Sequence, residues 1–339
     1  MNQREIANEL GVSQTTVSMV LNNPNTEKVS KEKREQILRL LNTSKYMPLS
    51  RSGKTGNIGY LCPAVTEKMY NSFYDRFITG IEKAAKADGY SLVIEKHKKD
   101  EIMLHCGKFD GAILEGYSFA SMLSGLRKDI PLVILNSASS ADAPCDSVLP
   151  DNAGGVEIAL NYLKKMGHSR IAYFAIGIPD ESNDMNYWQR LNAFRSLCWT
   201  LRLDVKEGYI QLPKCEPATL AATERKIRDT LIYWSKLPAP PTAVLCCNDE
   251  YALWMIRQAS QLGMKIPEAL SIIGSDNITS GELSFPALTT IDHNAEEMGR
   301  LSAEALIRRI QNPDRPPLKM SCNASLVVRE SVADLNAKK

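Results

Sequence analysis

No run of about 18 uncharged apolar residues occurs in this chain of 339 residues, and no apolar leader opens it, so the sequence predicts a cytoplasmic protein without a membrane span. Cys-x-x-Cys pairs are absent. The cysteines Cys62, Cys106, Cys145, Cys198, Cys215, Cys246, Cys247 and Cys322 are scattered or lie in apolar runs such as AVLCCND, which predicts reduced, structural thiols. Histidine is scarce: His97, His105, His168 and His293 lie far apart, and the pair His105-Cys106 has no further ligand nearby, so no metal site is expected. No G-x-G-x-x-G follows a strand and no G-x-S-x-G occurs. SGKT at Ser52 to Thr55 resembles the tail of a phosphate-binding loop, yet Pro48 stands where that loop needs glycine and no strand leads in. These absences argue against an enzyme and against a cofactor. The chain also shows no internal repeat and no low-complexity tract.

What is present begins at the first residues. MNQREIANELGVSQTTVSMVLN reads as two short amphipathic helices hinged at Gly11-Val12-Ser13. Asn2 can cap the first helix, with Glu5 at the capping-box spacing. Gly11 supplies the left-handed conformation that ends it, and Ser13 can cap the next. Ile6, Ala7 and Leu10 fall on one face of the first helix, and Val17, Val20 and Leu21 on one face of the second. The other face of the second helix carries Gln14, Thr15, Ser18, Met19 and Asn22, little charged and rich in hydrogen-bonding groups, as a major groove requires. A third helix capped by Ser30 offers Ile37, Leu38 and Leu41, which with Val29 would close a three-helix core. Charge agrees: residues 1 to 56 hold nine Lys or Arg against five Asp or Glu, whereas the remainder holds 32 against 34. A basic head on a mildly acidic body suits phosphate attraction.

The run I-A-x-x-x-G-V-S-x-x-T-V-S-x-V-L-N from Ile6 to Asn22, then V-S-x-x-x-R-x-x-I from Val29 and Tyr46-Met47-Pro48, resembles the head of the lactose-repressor (LacI/GalR) family of bacterial transcription regulators. The resemblance continues through Phe73-Tyr74, GIEKAAKADGY, Asp110-Gly111, Asp151-Asn152, LKKMGHSRIAY, RLNAFR, PTAVLCCND, IPEALSIIGSD and FPALTTI. It therefore covers nearly the whole chain.

From Asn57 onward the residues themselves read as α/β. Strands are expected from Ile58, Ser91, Gly111, Pro131, Ile171, Thr242 and Leu270, with helices over 74–88, 153–166, 187–201, 222–236, 250–262 and 295–311. The family resemblance implies that these form a periplasmic-binding-protein-like core of two doubly wound lobes joined by three crossovers. The expected organisation is a helix-turn-helix domain at 1–48, a linker at 49–57 and a core at 58–330. Lobe one would span about 58–155 and 286–320, and lobe two about 156–285.

In open α/β sheets ligands bind beyond the carboxyl ends of the strands. Asn248, Asp276, Asp151 and its neighbour Asn152, and the pair Phe73-Tyr74 all fall there, and Arg190 matches the family arginine that reaches into the cleft. Asp249 is expected to cap the following helix, leaving the amide of Asn248 for a hydroxylated ligand. Phe73 and Tyr74 could equally be core, and Trp188 and Trp254 are expected to pack helices. Aromatic rings beside Arg, Asn and Asp suit a sugar or similarly polar molecule, and the family also includes nucleobase sensors.

Two departures from the family pattern stand out. Met19 occupies a position where members commonly carry arginine; it can pack on a thymine methyl but cannot pair with guanine. Gln14 and Thr15 match the other base-reading positions, while Ser13, Thr16, Ser18 and Asn22 suit phosphates. After Pro48 the family's hinge helix is replaced by LSRSGKTGN, whose two glycines each cost about 1 kcal/mol in a helix interior. A looser linker follows, with Arg51 and Lys54 on phosphates and weaker operator bending. The expected function is a homodimeric regulator that binds a pseudo-palindromic DNA operator under control of a small-molecule effector. The alternatives are a ligand-binding protein or a sugar-phosphate enzyme without DNA function.

Overall fold

The structure is a computed structural model that describes residues 3–22, 26–43, 55–63, 72–97, 108–116, 130–138, 145–176, 185–206, 208–214 and 219–337. The proposed cap Asn2, the segment Tyr46-Met47-Pro48, the linker residues Arg51 and Lys54, and the pair His105-Cys106 lie outside them. So do the side chains of Leu21, Asn22 and Leu41.

Three helices build the head: α1 (Gln3–Leu10), α2 (Gln14–Asn22) and α3 (Lys31–Thr43). Gly11 has φ +60° with open space around it, the left-handed exit expected of it. The Val12 amide donates to the Ala7 carbonyl across this turn at 2.9 Å. The apolar stripes then meet: Ile6, Ala7, Val17, Val20, Val29 and Ile37 are buried together, with Leu10, Val12, Leu38 and Leu40 packed around them.

Among the described residues the core contains two six-stranded sheets. Lobe one holds β1 (Asn57–Pro63), β2 (Ser91–His97), β3 (Gly111–Glu115), β4 (Leu132–Leu135), β5 (Asp146–Pro150) and β11 (Lys319–Cys322), all parallel, in the order β11-β5-β4-β3-β1-β2. Lobe two holds β6 (Ile171–Phe174), β7 (Ile210–Gln211), β8 (Ala243–Cys246), β9 (Ser271–Ser275), β10 (Thr289–Asp292) and β12 (Ser325–Val327), in the order β12-β10-β9-β8-β6-β7. There, among the described strands, only β12 runs antiparallel to its neighbour. Strands such as GAILE and SIIGS are buried along their whole length, which is why they read as continuous apolar or small-residue runs.

The helices cover these sheets. Helices α4 (Ser72–Ala87) and α10 (Ala295–Gln311) pack on the first; α5 (Asn152–Lys165), α6 (Met185–Thr200), α7 (Leu220–Ser235) and α8 (Asp249–Gln261) pack on the second; the short α9 (Thr279–Glu282) follows β9. A Cβ on Gly80 of α4 would strike the Glu296 carbonyl, and one on Gly299 of α10 would strike the Phe77 carbonyl, so two glycines let these backbones touch.

The chain passes between lobes three times: at Asp151 before α5, at His293-Asn294 between β10 and α10, and at Asn323-Ala324 between β11 and β12. The return to lobe one thus begins after Asp292, later than the expected 286, because TTID pairs with both β9 and β12. Likewise α5, wholly in lobe two, begins at Asn152, ahead of the expected 155/156 border. The three passages are bonded to each other: Asp151 N donates to Cys322 O at 2.9 Å and Asn294 Nδ2 to Asn323 O at 2.7 Å. A Cβ on Gly155 would meet Ile291, Ala324 and His293, so all three converge on one glycine.

Candidate functional site

In the head, Gln14 and Thr15 stand exposed on the first turn of α2, with Thr16, Ser18 and Met19 half-buried beside them. Ser13 and Thr16, expected at phosphates, are also joined to each other: Ser13 Oγ accepts from Thr16 N at 3.0 Å and lies 2.8 Å from Thr16 Oγ1. That is an N-cap, and it fixes the direction in which α2 leaves the turn. Where the linker enters lobe one, the Thr55 and Gly56 amides donate to the Asp110 carboxylate at 2.7 and 3.0 Å, which anchors the chain rather than leaving those amides for a phosphate.

Between the lobes, polar side chains from the carboxyl ends of both sheets meet. Arg190 on α6 is 4% exposed. Its Nε donates to Asn152 Oδ1 at 2.8 Å, Nη1 to Cys247 O at 2.5 Å and Nη2 to Asp276 Oδ1 at 3.1 Å. Burial alone would depress its pKa, but Asp276 and the weaker influences of Tyr187, Cys247 and Tyr173 more than offset that and raise it. The cation is therefore permanent, and it is already balanced by a carboxylate.

Asn152, at the start of α5, donates from Nδ2 to Asn186 Oδ1 at 2.9 Å and to Gln189 Oε1 at 2.8 Å. Asn186 in turn reaches lobe one, donating to the main-chain and side-chain oxygens of Asn136 at 2.9 and 3.1 Å. Asn136 follows β4, has φ +62°, and donates at 3.5 Å to Glu115, a buried carboxylate that ends β3. A continuous chain of polar groups thus crosses from lobe one to lobe two. At another point of the same gap Thr279 N of lobe two donates to Ser72 Oγ at 2.8 Å.

Of the residues expected at the cleft, Arg190 and Asp276 are brought into direct contact. Asp151 caps α5 by accepting from Gly154 N at 2.9 Å. Phe73 is 4% exposed and belongs to the lobe-one core, edge-to-face with Phe77 at 4.8 Å; Tyr74 lies half-buried at its margin, 5.7 Å from Phe73. The helix cap is Asn248 and not Asp249 as expected. Asn248 caps α8, accepting from Tyr251 N at 2.9 Å while Nδ2 donates to Tyr187 Oη at 2.8 Å. Asp249 is fully buried and ties β10 to the turn after β9, accepting from Thr290 Oγ1 at 2.5 Å and Ile278 N at 2.9 Å. Burial pushes its pKa up to about 6 despite those two bonds and the charges of Arg329 and Arg190. Asn136, Asn186 and Gln189 were not foreseen as cleft residues; isolated carboxamides carry no spacing signal. Trp188 and Trp254 pack against the lobe-two core, as expected of them. Among the described residues no group of three or more His, Cys, Asp and Glu could hold a metal ion.

Residues 3–48 match the family described as bacterial regulatory proteins, lacI family. Residues 56–195 match the periplasmic binding proteins and sugar binding domain of that family, and residues 160–332 a periplasmic binding protein-like domain. The chain belongs to the LacI family of bacterial regulatory proteins. It is a DNA-binding transcription regulator with a helix-turn-helix head and a periplasmic-binding-protein-like core.

Relatives within the family agree over the full length. The HTH-type transcriptional repressor PurR of Vibrio cholerae serotype O1 is 29% identical over 346 residues, covering 98% of each chain. The PurR of Proteus mirabilis is 28% identical over 354 residues, covering 98% of this chain and 96% of its own. Among solved structures, a CelR–cellobiose complex superposes with a TM-score of 0.69 at 23% identity over 97% of this chain and 99% of that one. A LacI family regulator from Enterococcus faecium with bound ribose gives 0.66 at 25% identity over 82% and 99%. With regulators matching from end to end, the enzyme alternative is set aside.

Proposed function

We propose that this regulator is a repressor whose operator affinity is set by an uncharged, hydroxyl- or amide-bearing small molecule held between the lobes. The observation that carries this reading is the chain of polar side chains Asn136, Asn186, Asn152, Arg190 and Asp276, which draws on both lobes at the carboxyl ends of their strands. Carboxamides offer donors and acceptors without net charge, and Arg190 is neutralised by Asp276. The bound cellobiose and ribose of the structural neighbours favour a sugar. Tyr74, Asp151 and Asn248 complete the proposed wall, with Phe73 backing Tyr74 from the lobe-one core.

The repressor acts as a homodimer in the cytoplasm. Leu283 and Phe285, 80% and 94% exposed on the loop between α9 and β10, are large apolar side chains suited to burial against a second copy. Each head then reads half of a pseudo-palindrome through Gln14, Thr15 and Met19, with Ser13, Thr16, Ser18, Asn22, Arg51 and Lys54 on phosphates. Residues 1–48 form the DNA-binding domain, 49–57 the linker and 58–330 the core.

Thermal denaturation with ribose, cellobiose and hypoxanthine tests the ligand class, since a ligand of the folded state raises Tm. The expected result is a rise with a sugar that Arg190→Leu abolishes. A rise with hypoxanthine alone would replace the sugar by a nucleobase, and a rise that survives Arg190→Leu would move the site elsewhere.

A further inference from the structure

The turn after β9 is built against backbone preference. Asp276 has φ +112° and Asn277 φ +50°, two successive non-glycine residues in the positive-φ region. Such a turn persists only if its surroundings over-determine it, and here they do so from two sides. On the cleft side Asp276 Oδ1 accepts from Arg190 Nη2 at 3.1 Å. On the other side Asn277 Nδ2 donates to Asp292 Oδ2 at 2.9 Å, and Asn277 Oδ1 accepts from Arg329 Nη2 at 2.9 Å. Asp292 also receives Arg76 Nη2 of α4 at 2.9 and 3.0 Å and the Asn294 amide at 2.7 Å. A single carboxylate at the second passage between lobes therefore holds the turn, helix α4 and the entry to α10 together. The buried ring of His293 lies in the field of both arginines: burial, Arg190 and Arg76 hold its pKa well below the usual value, so the ring stays neutral, with Nε2 2.8 Å from Ser275 Oγ.

We propose that the Asp276-Asn277 turn is the coupling element between the cleft and helix α4, acting through Asn277, Asp292 and Arg76. A ligand that re-forms the Arg190–Asp276 contact shifts a turn whose other face is bonded to Asp292, and Asp292 carries Arg76 and α4 with it. This rests on the reading of the cleft as the effector site, but the path itself can be tested without an effector. A contiguous set of bonds is only a candidate path until two perturbations at its ends are found to depend on each other.

The experiment is hydrogen–deuterium exchange on the full chain, reading the amides of α4. Asp276→Asn perturbs the cleft end. Asn277→Gly keeps the positive φ while removing the link, and Arg76→Gln cuts the path at a partly exposed residue. The expected result is that Asp276→Asn changes α4 exchange about fivefold or more in the parent, the lower end of coupling between sites, but less than about twofold in either cut background. An equal change in parent and Arg76→Gln backgrounds, or no change in the parent, overturns the path. The two readings fail separately. If ribose, cellobiose and hypoxanthine leave operator affinity unmoved while the exchange dependence holds, the effector assignment falls and the coupling stands. If one of them shifts operator affinity equally in parent and Arg76→Gln, the coupling falls and the effector site stands.

Discussion

A single atom's partner decides a role at the residue scale, and Asn248-Asp249 shows how. Both residue types cap helices well, so the sequence offers no basis for choosing between them. The choice depends on Thr290 and Ile278, far along the chain, which need an acceptor inside lobe two. Asp249→Ala leaves both donors buried without one and should cost about 2 kcal/mol or more, read as a lower urea midpoint with unchanged m. Asn248→Ala removes the cap of α8 and should cost about 1 kcal/mol. Met19 is a residue-scale matter too: Met19→Arg should move the preferred operator base toward guanine in a selection over random sites, and an unchanged preference would remove Met19 from base reading.

Helices and central strands were legible because their periodicity is local. The expected helices agree with α4 to α8 and α10 to within a few residues, and each expected strand is present. Strand β5 was legible only as a short β-like segment before Asp151, and β7, β10, β11 and β12 were not foreseen. Ile210–Gln211, Thr289–Asp292, Lys319–Cys322 and Ser325–Val327 are short and partly polar, and they become strands only because neighbouring strands accept them, the first, third and fourth at sheet edges and Thr289–Asp292 between β9 and β12. Close helix approach was equally hidden, since glycine inside a helix reads as a defect until its neighbour is known. Gly80→Val should push α4 from α10 and cost about 3 kcal/mol, the upper end for overpacking, whereas a similar change at exposed Thr79 should cost little. Chemical denaturation of both variants checks this.

The pH dependence belongs to the whole molecule, because groups in distant parts of the second lobe oppose one another. Burial lowers the pKa of His168 and His293 below 6.5, so acidification through that value protonates the unfolded chain first and removes stability. Burial raises Asp249 to about 6 from 3.8, so over that interval the folded state takes up the proton first and gains stability as pH falls. The two effects oppose each other between pH 6.5 and 4. In Asp249→Asn the gain is gone, and Tm should fall more steeply from pH 6.5 to 5 than in the parent. A parallel pair of curves would contradict the buried-carboxylate assignment.

The three passages at Gly155 have a kinematic consequence. Each is one or two residues long and bonded to a neighbour, and backbone cannot lengthen past roughly 3.5 Å per residue. Sliding or swivelling would stretch at least one of them. Rotation about the point where they meet stretches them least, so opening and shutting of the lobes is the motion that these passages restrain least. Short passages of this kind also hold the two rims in register, so that Asn186 faces Asn136 and not some neighbour along the edge.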